Sequence, residues 1–362
     1  MANVNSDLDL LPPPICSRDE SAAACFVPRP LKIGPVEIGF LVVQAALSGY
    51  SDWPMRIVAR RLGAPYTIAE VLIDRFVLDL KDRARTKHHL LVTDEEHPVG
   101  AQLMGSEPDD FGPAATRLAE AGFDVIDINF GCPVKSAVGG CRGGYHLGQP
   151  ETALEIVSRV RHAVPPDIPV TVKMRRGIDD SNESRDRFFR ILDGAFERGV
   201  AGVTVHGRTV EQKYVGPSNW DFLREVKQHV GDRTIIGSGD VFTAQTCLDM
   251  LRHTGVDGVS VARGAIGNPW IFRQTQDLAA GREPFSPDLT EQARVLRMQL
   301  DLCQQIYDEK KSLATMRKHA IKFSRQHPQS EETRIAFAAA KSIDAWLAVL
   351  EASYESGAGV NE

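Results

Sequence analysis

A chain of 362 residues, 43% hydrophobic and 25% charged, has room for one large domain or two and the composition of a globular protein with a sizeable core. No apolar run reaches the ~18 residues needed to cross a bilayer, so no membrane association is expected. A net charge of −6 excludes a global field attracting nucleic acid, so any such partner must meet a local basic patch.

Residues 1–30 carry Pro12, Pro13 and Pro14 among small polar residues and read as an irregular arm. Asp7, Asp9, Arg18, Asp19 and Glu20 are unlike a secretory signal. The cysteines at 16, 25, 132, 141, 247 and 303 contain no CxxC pair, which argues against a disulfide framework or a metal site and for a cytoplasmic protein. A short hairpin around Gly34 and Pro35 is predicted over 31–38, placed to plug the N-terminal mouth of a barrel.

A strand–helix rhythm follows. Candidate strands cover 40–44, 66–69, 99–103, 125–129, 170–173, 202–206, 234–237 and 258–262. Helix starts are signalled at Ser106-Glu107-Pro108-Asp109, Gln149-Pro150-Glu151 and Phe242-Thr243-Ala244. Apolar, β-branched strands alternating with helices indicate a parallel sheet. Eight units over roughly 240 residues fit a (β/α)8 TIM barrel over 31–284. A doubly wound sheet is the competing arrangement. From Pro287 to Tyr354 the strand signal disappears, and a small all-helical C-terminal domain is expected over 285–354, followed by a flexible tail over 355–362.

In such barrels the strands' C-terminal ends carry the chemistry. The ends supply Gln102; Asn129 and Cys132; Lys173 and Arg175; His206 and Arg208; Ser238, Gly239 and Asp240; and Ala262 and Arg263. A cysteine there also packs as a small hydrophobe, so Cys132 is singled out by its company rather than alone. The turns after strands seven and eight, Gly237-Ser238-Gly239-Asp240 and Ala262-Arg263-Gly264, have the glycines and the arginine of a phosphate cradle. A lysine ending an apolar strand needs a partner, and Asp127 or Glu70 could pair with Lys173. On a helix, Lys311, Lys318, Lys322 and Arg325 share one face of the basic run 310–325, which also holds Lys310 and Arg317. Lys81, Arg83, Arg85 and Lys87 form a second strip.

Several stretches together resemble the tRNA-dihydrouridine synthase family. They are Asp127-Ile128-Asn129-Phe130-Gly131-Cys132-Pro133, Thr171-Val172-Lys173-Met174-Arg175, and Thr204-Val205-His206-Gly207-Arg208-Thr209 with Gln212 and Tyr214-Val215-Gly216. Gly237-Ser238-Gly239-Asp240 and Ala262-Arg263-Gly264 through Trp270 complete the set, which spans roughly 31–335. The resemblance implies an FMN barrel followed by helices that grip tRNA, and reduction of the C5–C6 bond of particular uridines with NADPH as reductant. It implies Cys132 as the acid protonating C5 after hydride reaches C6. Ala46, Leu47, Ser48, Gln102, Lys173 and His206 would meet the flavin, with Ser238, Gly239, Asp240, Ala262 and Arg263 around its phosphate. Asn129, Arg175, Arg208, Arg317, Lys318 and Lys322 would meet the RNA. No obligate protein partner is implied. The chain departs from the family at Ala46-Leu47-Ser48, where Pro-Met-Ala is usual; at Ala69-Glu70-Val71, which keeps only the glutamate of Thr-Glu-Met; and in the loop 141–147. An FMN barrel acting on a small pyrimidine, and a non-catalytic tRNA-binding relative, are the alternatives.

Overall fold

Strands whose two faces are both apolar must be covered on both sides, and this decides the architecture. The computed structural model describes residues 29–81 and 86–355. The expected arm up to residue 28, Arg83 and Arg85, and the tail from 356 lie outside them, as does the side chain of Lys87. The strands are β1 (Leu31–Ile33), β2 (Val36–Gly39), β3 (Val42–Gln44), β4 (Thr67–Ile68), β5 (Leu72–Ile73), β6 (Val99–Met104), β7 (Val125–Phe130), β8 (Val170–Arg175), β9 (Gly202–His206), β10 (Ile235–Ser238) and β11 (Gly258–Val261). Strands β3, β4 and β6 to β11 are parallel, run in the order β4-β3-β11-β10-β9-β8-β7-β6, and close through β4–β6 pairing. This is a (β/α)8 TIM barrel, not a doubly wound sheet.

One strand was not anticipated. The chain leaves β4 at Glu70, whose N–H turns to the Ser51 carbonyl at 3.1 Å, and then rejoins β6 further along as β5, with Leu72 opposite Leu103 and Ile73 opposite Met104. The excursion brings Glu70 to the loop after β3.

The β1–β2 hairpin covers the N-terminal mouth. A side chain at Gly34 would meet Pro169 and Ala201 within 3.3 Å, and one at Gly258 would meet Leu31 at 2.9 Å. These contacts lie where β8, β9 and β11 begin, so the opposite mouth stays free for the C-terminal ends. Helices begin where the signals place them: Pro108–Glu120 and Pro150–Ala163 each open on proline, and Ala244–Thr254 is capped by the Thr243 hydroxyl.

Four longer helices follow the barrel: Leu289–Ile306, Glu309–Phe323, Ser330–Ala339 and Ile343–Leu350. Asp288, Asp308 and Ser342 cap three of them. Their core includes Phe323, Phe337 and Trp346 but also Trp53, Ile57 and Val58 of the barrel's first helix, Trp53–Arg61, and Trp270 after β11. Shared apolar burial therefore seats the C-terminal helices on the barrel. Among the described residues no helix is long and apolar enough to cross a membrane.

Candidate active site

Cys132 is held by a chain of buried hydrogen bonds running across β6, β7 and β8. The pairing sets Gln102 beside Asp127 and Asp127 beside Thr171. Thr171 Oγ1 donates to Asp127 Oδ1 at 2.6 Å, and Gln102 Nε2 donates to Asp127 Oδ2 at 2.7 Å. Gln102 Oε1 accepts from Asn129 Nδ2 at 2.7 Å, and Asn129 Oδ1 accepts the N–H groups of Gly131 at 2.8 Å and Cys132 at 3.0 Å. A carboxylate only accepts, so Asp127 fixes the orientation of both amides and leaves an oxygen facing the Cys132 backbone. Burial raises the Asp127 pKa, offset by the bonds from Thr171 and Gln102. The sequence offered Asp127 as a partner for Lys173. Both its oxygens are instead engaged in this chain, and Glu70 turns away to the Gly49 N–H.

Lys173 has no hydrogen bond or ion pair among the described residues. Burial, then repulsion by Arg175, lowers its pKa from 10.5 to about 8. His206 is pushed down to about 2 by burial and by Lys173, Arg175, Arg208 and Arg263, so its ring is neutral. Its Nδ1 accepts the Arg208 N–H at 3.2 Å, which leaves the proton on Nε2 as a donor toward the mouth. One cation and one neutral donor thus stand at the ends of neighbouring strands.

Two arginines assigned to substrate are engaged within the protein. Arg175 is buried and donates to the carbonyls of Gly131 at 2.9 Å, Thr209 at 2.8 Å and Lys213 at 2.8 Å, tying the Cys132 turn to the loop after β9. Arg208 is buried against Asp240 at 2.7 Å and the Gly216 carbonyl at 2.9 Å. Asp240 has φ 58 and also accepts the Ser218 N–H at 2.7 Å, so it shapes the turn after β10 rather than facing an anion with its own charge.

Around that turn the donors fit a phosphate. Arg263 and Gly264 open a 3₁₀ turn, Arg263–Ala265, which leaves their N–H groups without partners inside it. Ser218 Oγ and Arg208 Nη1 are buried without partners. Gly239, at φ 116, lies so close to Ser218 Oγ that no side chain could stand there. The Arg263 guanidinium lies 5.0 Å from the Tyr214 ring and 5.0 Å from the Phe242 ring, and Tyr214 is 56% exposed, which leaves an aromatic rim open to a planar ligand. Ser218 was missed as a candidate, and Tyr214, part of a matching stretch, was given no site role; the loop after β9 brings both to this edge.

The loop after β3 carries Ala46 and Leu47, both half-buried, and the exposed Ser48. The Leu47 N–H donates to Ser51 Oγ at 2.8 Å. On the far side, the loop after Cys132 wraps the thiol. The Gly144 N–H donates to the Cys132 carbonyl at 3.0 Å, and a Cβ at Gly143 would fall 2.8 Å from that of Cys132. Cys141 is exposed, with φ 54. Its thiol interacts with the Tyr145 hydroxyl and raises the Tyr145 pKa. His146 Nε2 hydrogen-bonds the Gly105 carbonyl at 3.0 Å.

The basic helix face points at the same mouth. Lys318 Nζ donates to the Gly49 carbonyl, and Lys311 Nζ meets His88 Nε2 at 2.9 Å. Lys322 is half-buried, with its backbone close against Gly267, and its ammonium has no partner among the described residues. Arg317 lies apart from this face and donates to the Ala338 carbonyl.

A family model described as "Dihydrouridine synthase (Dus)" matches residues 43–356. A probable tRNA-dihydrouridine synthase of Rickettsia prowazekii is 35% identical over 305 residues, covering 84% of this chain and 91% of that one. tRNA-dihydrouridine synthase B of Xanthomonas campestris pv. campestris is 32% identical over 322 residues, covering 88% and 94%. Among solved structures, morphinone reductase superposes with a TM-score of 0.51 at 16% identity, over 74% of this chain and 92% of that one, which is a likeness of fold alone. With both the family model and relatives of this similarity spanning the barrel and its C-terminal helices, the chain belongs to the dihydrouridine synthase family.

Proposed function

We propose that the protein is a cytoplasmic, FMN-dependent tRNA-dihydrouridine synthase that reduces the C5–C6 double bond of specific tRNA uridines, with NADPH as reductant. FMN, when bound, supplies the hydride that reaches C6. Cys132 gives the proton to C5. The observation that carries this reading is the chain from Thr171 through Asp127, Gln102 and Asn129 to the Cys132 N–H, which holds one thiol at the mouth beside a cation and a neutral imidazole. A general acid acts only when its atom is held within reach of the carbon it protonates, and a strand-anchored chain of this kind does that.

Lys173 would face the flavin ring and favour negative charge there, while His206 Nε2–H donates a hydrogen bond. Ser238, Gly239, Ala262 and Arg263 would hold the phosphate, with Asp240 acting through Arg208 and the turn. Ala46, Leu47 and Ser48 would line the ring's near side. Asn129 orients Cys132, and Arg175 fixes the carbonyl of the preceding residue. The target uridine must leave its stack to reach this depth, and the basic face carrying Lys318 and Lys322 lies beside the mouth to steer the RNA. That placement favours tRNA over a free pyrimidine.

Purified protein should be yellow and release FMN. Cys132→Ala should keep the flavin and lose dihydrouridine formation by at least about 10²-fold. A colourless protein that cannot be loaded with FMN sinks the flavin assignment; full activity in Cys132→Ala removes the thiol from the reaction.

A further inference from the structure

The peptide groups of Gly49 are gripped from two sides by opposite charges. Its N–H donates to Glu70 Oε2 at 2.7 Å, and its carbonyl accepts from Lys318 Nζ. Glu70 arrives on the excursion between β4 and β5, anchored by its own N–H on the Ser51 carbonyl at 3.1 Å. Lys318 arrives from the helix Glu309–Phe323 and lies 4.6 Å over the Tyr50 ring. One turn of chain further on, the Tyr307 hydroxyl donates to Asp52 Oδ2 at 3.0 Å, while Asp52 Oδ1 caps the Met55 N–H. The grip falls on a short turn that Leu47 closes with Tyr50 and Ser51: the Leu47 carbonyl accepts their N–H groups at 2.9 Å, while Gly49 itself has φ 72 and Ala46 and Leu47 supply no ring to stiffen the entry.

We infer that Lys318 and Glu70 are positioning residues that clamp the Gly49 peptide and so set the loop of residues 45–52 at the edge of the flavin site, an inference that rests on the flavin reading above. Charge-assisted hydrogen bonds are the stronger kind, and here an anion on the donor and a cation on the acceptor polarise adjoining peptides in the same sense. Lys318 then acts on the cofactor side of the mouth. A lysine serving only as a phosphate contact makes the opposite forecast for its acidic counterpart: removing Glu70 would strengthen RNA binding. The clamp makes Lys318 and Glu70 act in the same direction on the loop.

The test compares Lys318→Met, Glu70→Ala, their double variant and Lys318→Arg in the full chain. FMN affinity is read by flavin fluorescence, and loop order by amide hydrogen exchange over residues 45–52 without added FMN. Each single variant should weaken FMN binding by about 3–10-fold and speed exchange in the loop; the double should be no worse than about 10-fold, because each loss already opens the same clamp. Lys318→Arg should return FMN affinity to within about twofold of the starting protein. Unchanged exchange in both single variants overturns the clamp, as does unchanged FMN affinity in variants of a protein that binds FMN. If the unmodified protein takes up no FMN, the flavin reading fails instead, and hydrogen exchange alone decides the clamp.

Discussion

Two sets of polar groups meet at the barrel mouth, and they are built on opposite principles. Behind Cys132 the groups are short, strand-borne and buried, and each donor in the chain from Thr171 to Asn129 has one acceptor. On the helix Glu309–Phe323 the groups are long lysine side chains, partly exposed and resting on carbonyls, rings or nothing. Sheet register and mutual hydrogen bonds fix the first set, whereas the second can swing about several rotatable bonds. Chemistry on a carbon needs the first kind of placement; holding a flexible polyanion tolerates the second.

The sharpest way to break this contrast is Asp127→Leu. The substitution keeps the branched outline of the side chain but adds bulk, and it leaves Gln102 Nε2 and Thr171 Oγ1 buried without their acceptor. At about 1–3 kcal/mol for each of the two orphaned groups, the protein should lose about 2–6 kcal/mol, read from the denaturant midpoint. Asp127→Asn keeps an acceptor for Gln102 and should lose less than half as much. Equal losses would mean that the charge, and not the orientation it imposes on the amides, is what matters.

Much of the first set was legible in the sequence, because a parallel barrel puts strand ends at one mouth and Gln102, Asn129, Cys132, Lys173 and His206 all stand at strand ends. What stayed hidden was register. Asp127 and Asn129 lie two residues apart and so share a face, but only pairing with Gln102 shows that they are joined through it. Arg175 and Arg208 had the residue type of substrate contacts, yet three backbone carbonyls take the one and Asp240 takes much of the other. A carboxylate in a phosphate cradle was itself a signal that Asp240 needed a cation of its own. In the helix, the 3.6 period put Lys311, Lys318 and Lys322 on one face, but periodicity says nothing about what that face meets, and Lys318 meets Gly49.

Lys173 separates stability from activity by pH. Burial and Arg175 hold its pKa at about 8, below the usual 10.5. Between those values the unfolded chain keeps a proton that the folded protein has released, so Lys173 makes stability rise as pH increases from about 8 to 10.5. Below about 8 both states are protonated and the full cost of the buried ammonium remains. Lys173→Met should remove this rise from the flavin-free protein. Turnover should run the other way, falling above pH 8 as the cation facing the ring is lost. Parallel pH trends for stability and turnover would leave Lys173 no part at the ring.

The smallest effect probes the second set. Among the described residues nothing pairs with the Lys322 ammonium, whereas Arg317 is tied to the Ala338 carbonyl at the end of the next helix. If this lysine contacts a phosphate, Lys322→Met should weaken tRNA binding by only about 2–5-fold near 0.15 M salt while lowering the slope of log affinity against log salt by about one. Arg317→Met should leave that slope unchanged and instead loosen the packing of the helix Glu309–Phe323 against Ser330–Ala339, visible as a lower unfolding temperature. A mobile cation acts through counterion release and leaves the fold alone; a cation engaged with a helix end does the reverse. A slope that falls equally in both variants would mean that Arg317 lets go of Ala338 when RNA arrives, and the division between fixed and mobile groups would then have to be redrawn around the bound state.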